Sequence, residues 1–166
     1  MTGNVSTIGY EGATPEDFIA TLKLANIELV VDIRELPISR KKGFAKNALS
    51  SILEKSGIGY EHLKGLGDPK DGREAARSGR FDEFLKIFNS HMKTEVARTD
   101  LDKAVYFTTQ KRICLLCYER DFQMCHRYIV AEHLSSITGK NIRHLGVREG
   151  VSRNKSAKKE ILAAYA

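Results

Sequence analysis

The stretch of sequence that decides the fold is TPEDFIATLKLANIELVVDI, residues 14–33. Thr14 is a residue type that caps helices, because its side chain accepts a hydrogen bond from a free backbone N–H group, and Pro15 suits the first helical position. The helix predicted here leads into residues 27–33, which are nearly all apolar, as is typical of a strand buried on both faces. With a short strand ending near Tyr10, the stretch predicts a β-α-β unit with a right-handed crossover.

Extended and helical segments alternate along the rest of the chain. Further strands are predicted over residues 58–63, 112–118 and 142–145, and further helices over residues 47–56, 81–92, 95–109, 126–138 and 156–165. Alternation of this kind favours a mainly parallel sheet with helices on both faces. We therefore predict a three-layer, Rossmann-like α/β fold, and the length of 166 residues fits a single domain over residues 1–166.

The composition favours a globular cytoplasmic protein. The chain is 42% hydrophobic and 29% charged, which is ordinary for a globular domain. Its apolar runs are far too short to cross a bilayer, so we expect no membrane association. The sequence opens without a basic and apolar leader, and its three cysteines are too few for a disulfide scaffold. Both observations favour the cytoplasm.

The chain is basic, with a formal net charge of +6 and a pI of about 9.2. Basic residues are concentrated in residues 40–46, 64–80 and 153–159. This charge permits an anionic small molecule or a nucleic acid as the partner, although lysine-rich surfaces also serve solubility alone. The sequence specifies neither a cofactor nor an oligomeric state.

Polar and reactive residues follow several of the predicted strands. They are Tyr10, Glu11, Asp32, Arg34, Arg40, His62, Lys64, Glu119, Arg127 and His144. In open parallel sheets, ligands bind beyond the carboxyl ends of the strands. We therefore predict the functional site where residues 32–34 meet residues 117–127.

Cys125-His126-Arg127 precedes an apolar helical run, so it should lie at the start of a helix. Free N–H groups and the helix dipole at such a position lower the pKa of a thiol and attract anions. Cys125 or Cys117 is a candidate nucleophile, and His126 is a candidate base. The alternative is structural: Cys125 is packed, His126 caps the loop, and Arg127 forms an ion pair with Asp32 or Glu119.

Three guanidinium groups, from Arg34, Arg40 and Arg127, could together clamp an anion. Asp32 either holds a cation or organises the following loop through its backbone N–H groups. Tyr10, which follows the first predicted strand, could add a phenol or a stacking face.

Acid–base candidates are fewer. Glu11 and Glu119 are candidate acids, and His62 is a candidate base, although a structural role for this histidine is the commoner one. Cys114 and Cys117 form a C-x-x-C in a predicted strand, whereas a redox pair of this kind normally opens a helix, so we expect Cys114 to be a buried apolar side chain.

Cys114, Cys117, Cys125 and His126 offer four possible zinc ligands. The strand cysteines diverge and two ligands are adjacent in sequence, which fits tetrahedral closure poorly. We therefore predict no metal.

Three motifs together resemble the bacterial and archaeal family called "domain of unknown function 488". They are residues 6–12, STIGYEG; residues 31–34, VDIR, with residues 37–40, PISR; and residues 114–119, CLLCYE, followed by residues 125–127, CHR. The resemblance covers about residues 6–147 and implies a compact α/β domain without an established activity.

A weaker similarity links residues 14–35 to the opening of a rhodanese-type domain, where a helix leads into a strand ending in Asp-x-Arg. The loop between Cys117 and Arg127 lacks glycine and is longer than the cysteine loop of that group. This similarity is therefore an analogy only.

The function hypothesis is an enzyme, a cysteine-dependent hydrolase or transferase, that acts on a phosphate-bearing or other anionic substrate. Two alternatives remain: a module that binds nucleic acid or nucleotides without catalysis, and a partner-binding domain whose motif residues are structural.

Overall fold

A computed structural model describes residues 3–154 of the chain. The strands are β1 (Asn4–Gly9), β2 (Leu29–Asp32), β3 (Gly59–His62), β4 (Ile113–Cys117) and β5 (Asn141–Leu145), and the helices are α1 (Pro15–Leu24), α2 (Lys46–Lys55), α3 (Lys70–Arg77), α4 (Phe81–His91), α5 (Glu95–Gln110) and α6 (His126–Thr138). Two 3-10 turns cover Lys64–Leu66 and Phe122–Met124. The helix predicted over residues 156–165, and all but the start of the third basic cluster, lie outside the described residues.

The strands form one sheet in the order β3-β2-β4-β1-β5, and every strand pair is parallel. On β4, Leu115 lies opposite Thr7 of β1 on one side and opposite Val31 of β2 on the other. The predicted three-layer, Rossmann-like α/β fold is confirmed. Within residues 3–154, no helix combines the length and apolar character needed to cross a membrane.

The two sheet faces bury separate apolar layers because successive strand residues point to opposite sides. Val30 packs with side chains of α1 and α2, whereas Val31 packs with side chains of α3 to α6. Arg127 and Phe88 are among the largest fully buried side chains of the described chain. Helices therefore cover both faces, and the carboxyl ends of β2, β4 and β1 meet at one exposed edge.

Local signals fix the start of α1, whereas α3 has no such signal. The Thr14 side chain accepts a hydrogen bond from the Asp17 N–H at 3.1 Å, as the sequence predicts. Residues 70–77 read KDGREAAR, and this helix buries only Gly72 and Ala75. The sequence does not predict α3, because its small and charged residues leave no apolar periodicity.

Candidate active site at the carboxyl edge of the sheet

A cleft of about 660 Å³ opens at the carboxyl edge of the sheet, as the strand order predicts. Its walls come from the segment after β2, from α3 and the residues before it, and from residues 117–126. The lining side chains include Tyr10, Arg34, Glu35, Leu36, Ile38, Arg40, Asp68, Arg73, Arg77, Cys117, Tyr118, Glu119, Met124, Cys125 and His126.

Two cysteines meet on one wall of this cleft. Cys117 is the last residue of β4 and Cys125 is the N-cap of α6, and the structure joins their sulfur atoms in a disulfide. Cys125 Sγ accepts a hydrogen bond from the Arg127 backbone N–H at 3.5 Å. Cys114, by contrast, is fully buried in the apolar layer on the opposite face of the sheet, as expected. The cysteines that line the cleft are therefore Cys117 and Cys125.

His126 presents one ring nitrogen to a sulfur and the other to the backbone. Its Nε2 lies 2.8 Å from the carbonyl oxygen of Ile33, and its Nδ1 lies 3.6 Å from Cys125 Sγ. Burial lowers the pKa of His126 to about 4, so the ring is neutral at neutral pH. Because a carbonyl oxygen only accepts, the proton sits on Nε2 and the Nδ1 lone pair faces Cys125.

Arg127 is a buried cation whose donors point into the protein. It donates to Thr7 Oγ1 at 3.1 Å, to Cys117 Sγ at 3.1 Å and to the carbonyl oxygens of Glu119 and Arg120. A Cβ at Gly9 would overlap the Glu119 carbonyl, so glycine allows this segment to pass close to β1. Arg127 thus ties residues 119–120 to the sheet, through the Glu119 carbonyl rather than its carboxylate.

Arg34 likewise has protein partners. Its Nε and Nη2 donate to both carboxylate oxygens of Asp32, at 2.9 and 2.7 Å, and its Nη1 donates to the Phe44 carbonyl at 2.7 Å. Burial alone would lower the pKa of Arg34, but the hydrogen bonds and charge of Asp32 outweigh it and raise the pKa. Tyr60 also donates to Asp32, at 2.5 Å. The Asp32–Arg34 pair therefore organises the segment that leads from β2 to α2.

Two acidic side chains in the cleft bind protons more tightly than usual. Burial raises the pKa of Asp68 to about 7, and the nearby charges of Glu119 and Glu35 add to the rise while Arg73 opposes it. Asp68 Oδ1 has no hydrogen-bond partner within residues 3–154. Burial also raises the pKa of Glu119. At neutral pH the cleft therefore holds a carboxyl group that can give or take a proton.

The family model described as "Domain of unknown function DUF488" matches residues 14–134. The chain belongs to the DUF488 family. The matched segment runs from the N-cap of α1 into the last turns of α6, so it contains both cleft cysteines. A search of curated proteins and a search of solved structures each found no match to the chain.

Seven of the residues singled out from the sequence line the cleft of this DUF488 protein: Tyr10, Arg34, Arg40, Cys117, Glu119, Cys125 and His126. Asp32, His62 and Arg127 lie behind it. His62 Nε2 is 2.7 Å from the Arg34 carbonyl oxygen, so this histidine supports the segment after β2. Asp32, His62 and Arg127 thus support the cleft without lining it.

Sequence reasoning missed the wall that α3 and its preceding turn supply to the DUF488 cleft. Asp68, Arg73 and Arg77 line this wall. Arg73 forms a salt bridge of 2.6 Å with Glu35. In the described chain neither the Arg77 nor the Arg40 guanidinium has a hydrogen bond or salt bridge, and both side chains are exposed, although the charge of Arg77 acts on Glu119. The only available signal was the basic cluster at residues 64–80, which does not tell where its side chains point.

Proposed function

We propose that this DUF488 protein is an enzyme that acts on a phosphate-bearing or other anionic substrate in the cleft, with Cys125 as its nucleophile. One observation carries the proposal: a cysteine at a helix start faces the same cleft as two guanidinium groups, those of Arg40 and Arg77, that form no hydrogen bond or salt bridge within residues 3–154. Thiol, imidazole, carboxyl and guanidinium groups in one cleft are the components that group transfer requires.

Cys125 is the better nucleophile of the two cleft cysteines. As the N-cap of α6 it lies at the positive end of the helix dipole, and the Arg127 N–H donates to its sulfur. Both interactions favour the thiolate. His126 Nδ1, at 3.6 Å, can accept a hydrogen bond from the Cys125 thiol and so orient it. The active form is the dithiol, which fits a reducing compartment such as the cytoplasm.

The cleft suits a substrate with an anionic group next to an apolar part. The Arg40 and Arg77 guanidinium groups, which form no salt bridge within residues 3–154, can pair with the anion. The apolar side chains along the rim are largely exposed: Leu36, Ile38, Tyr118 and Met124. Apolar surface around a few charged groups is typical of small-molecule sites, and less typical of a surface that follows a nucleic-acid backbone.

The reaction proceeds in two steps. The Cys125 thiolate forms a bond to the electrophilic phosphorus or carbonyl carbon of the substrate, and the leaving group departs with the bonding electron pair. The protonated carboxyl of Asp68 can supply the proton that the leaving group takes. Water or an acceptor alcohol then cleaves the covalent intermediate and regenerates the thiol, so the enzyme is a hydrolase or a transferase.

The test compares Cys125→Ser with Cys114→Ala in reduced, metal-free protein. A panel of chromogenic phosphate and carboxylate esters, each carrying an aromatic group and an anion, supplies the substrates. We expect turnover by the wild type and by Cys114→Ala, and a loss of about 10³-fold or more in Cys125→Ser. Equal turnover by Cys125→Ser and wild type would overturn the nucleophile assignment.

A second pair of variants tests the anion site. Arg40→Ala and Arg77→Ala should raise KM more than they lower kcat, because each removes a contact to the bound anion. Absence of turnover on the whole panel, together with salt-dependent binding of an oligonucleotide that Cys125→Ser does not change, would favour the nucleic-acid-binding alternative instead.

A further inference from the structure

We propose that, in the reduced protein, Cys117, Glu119 and Cys125 form a binding site for one divalent metal ion of the Zn²⁺ class. In the structure, where the two sulfurs are joined in a disulfide, the ligand atoms of these three residues, two sulfurs and a carboxylate oxygen, all lie within 4.8 Å of one another. This inference goes beyond the proposed function, because it rests on the spacing of these ligand atoms and not on any reaction.

The fold brings two of the three ligands together from two rigid elements. Cys117 ends a central strand and Cys125 caps a helix, with their Cα atoms 7.5 Å apart. Disulfides commonly join Cα atoms about 4.4–6.8 Å apart, so the backbone leaves room for the sulfurs to separate on reduction. Glu119 follows Cys117 by two residues, and its Oε2 lies 3.4 Å from Cys117 Sγ. The reduced cluster can therefore enclose an ion between its ligands.

This ligand set differs from the set of Cys114, Cys117, Cys125 and His126, which fits a zinc site poorly. Cys114, which diverges from Cys117 on the strand, is not part of it, and Glu119 supplies the third ligand instead. The objection to divergent strand cysteines therefore does not apply to this cluster.

His126 has the arrangement of a metal-binding histidine beside the cluster. A histidine ligand almost always donates its other ring N–H to a carboxylate or backbone carbonyl, which orients the free nitrogen. The 2.8 Å contact from Nε2 to the Ile33 carbonyl does this, and Nδ1 lies 3.6 Å from Cys125 Sγ. Three protein ligands leave one tetrahedral position for this nitrogen or for a solvent molecule at the cleft.

Arg127 balances the charge of the occupied site. Two thiolates and a carboxylate exceed the charge of a dication by one negative charge, and the Arg127 guanidinium, 3.1 Å from Cys117 Sγ, offsets it. The backbone N–H of the same residue donates to Cys125 Sγ. Thiolate ligands favour Zn²⁺, and Co²⁺ as its spectroscopic substitute, over the oxygen-seeking Mg²⁺ and Ca²⁺.

An occupied site would also regulate the proposed enzyme. With the metal bound, both sulfurs are ligands and Cys125 is no longer a free nucleophile. Zn²⁺ is therefore expected to inhibit the proposed reaction, and a chelator to restore it. This consequence rests on the proposed function, whereas metal binding itself does not.

The test is a Co²⁺ titration of the reduced full chain, followed by displacement with Zn²⁺. We expect a thiolate-to-cobalt charge-transfer band that saturates at one ion per chain and disappears when Zn²⁺ replaces Co²⁺. Cys117→Ser and Cys125→Ser should each weaken Zn²⁺ binding by about 100-fold or more, and Glu119→Gln by about 10-fold or more. Cys114→Ala is the matched control and should bind like the wild type.

The outcomes separate the two proposals. A wild-type protein without the charge-transfer band, or a Cys114→Ala variant that loses binding as much as Cys125→Ser does, would overturn the metal site. Glu119→Gln, whose side chain is only partly buried, keeps the test decisive should a cysteine variant misfold. A metal-loaded form that is active while the metal-free form is inactive would uphold the site and overturn Cys125 as the free nucleophile.

Discussion

Replacing Asp68 with asparagine should stabilise the protein at alkaline pH. The Asp68 carboxyl is only 5% exposed, and its Oδ1 has no hydrogen-bond partner within residues 3–154. Asparagine keeps the shape of the side chain and removes the charge that forms above the pKa. The size of the effect follows from that pKa, which burial raises from the ordinary value of 3.8 to about 7.

The sign follows from proton binding. Between pH 4 and pH 7 the folded protein holds a proton on Asp68 that the unfolded chain has lost, so the free energy of unfolding falls as pH rises through this window. At about 1.36 kcal/mol per pKa unit, the full effect is about 4 kcal/mol. Because the carboxyl borders the open cleft, solvent screening reduces it to roughly 2 kcal/mol. The Asp68→Asn variant should not lose this free energy of unfolding as pH rises.

Urea unfolding at pH 4.5 and pH 8, with a chelator and a constant concentration of reductant, measures the difference. The advantage of Asp68→Asn over the wild type should grow by about 2 kcal/mol between the two pH values. Asp71→Asn, which changes an exposed acid on α3, is the control and should show little change. A pH-independent difference, or a variant that is less stable than the wild type at pH 8 only, would refute the reasoning.

Three further predictions concern stability and are checked by chemical denaturation. Gly9→Ala should lower the free energy of unfolding by about 3 kcal/mol or more, because the new Cβ would overlap the Glu119 carbonyl. Gly146→Ala, whose Cβ would have nothing within 4 Å, should lower it little. Similar losses for the two variants would contradict the close approach at Gly9. Arg127→Lys should lower the free energy of unfolding by about 3 kcal/mol, because lysine cannot reproduce the hydrogen bonds that the guanidinium donates. An unchanged stability would argue against a structural role for Arg127. Asp17→Ala should cost about 1–3 kcal/mol, because Asp17 accepts hydrogen bonds from the N–H and hydroxyl of Ser152. Burial alone would raise the pKa of Asp17, but these hydrogen bonds outweigh burial and lower the pKa to about 2. The stability that Asp17 contributes is therefore present above pH 4 and is lost as pH falls towards 2. An equal loss of stability in Asp17→Ala at pH 2 and at pH 6 would contradict this prediction.

Apolar periodicity predicted most of the fold because most elements bury a regular stripe. The helix predicted over residues 126–138 matches α6 residue for residue, and the strand predicted over residues 112–118 contains β4. The short helix α3 has no such stripe, and it was missed. The sheet edge was predictable as well, since the carboxyl ends of parallel strands must lie together.

The roles of single charged residues could not be predicted from sequence. Arg34, Arg40 and Arg127 all follow strands at the correct edge. Of the three, only the Arg40 guanidinium has no hydrogen bond or salt bridge within residues 3–154. Whether an arginine faces ligand or protein depends on acceptors contributed by distant segments, such as the Phe44 carbonyl for Arg34. The contact between Cys117 and Cys125 depends in the same way on the path of the intervening loop.

The central claim is that Cys125 is a reactive thiol in an anion-binding cleft. Its most direct test is the rate of alkylation of each cysteine against pH, read by peptide mass spectrometry on reduced, folded, metal-free protein. We predict that Cys125 is alkylated rapidly at pH values well below the ordinary thiol pKa of about 8.5, while buried Cys114 stays unmodified. A Cys125 thiol as inert as Cys114 up to pH 8.5 would contradict the account.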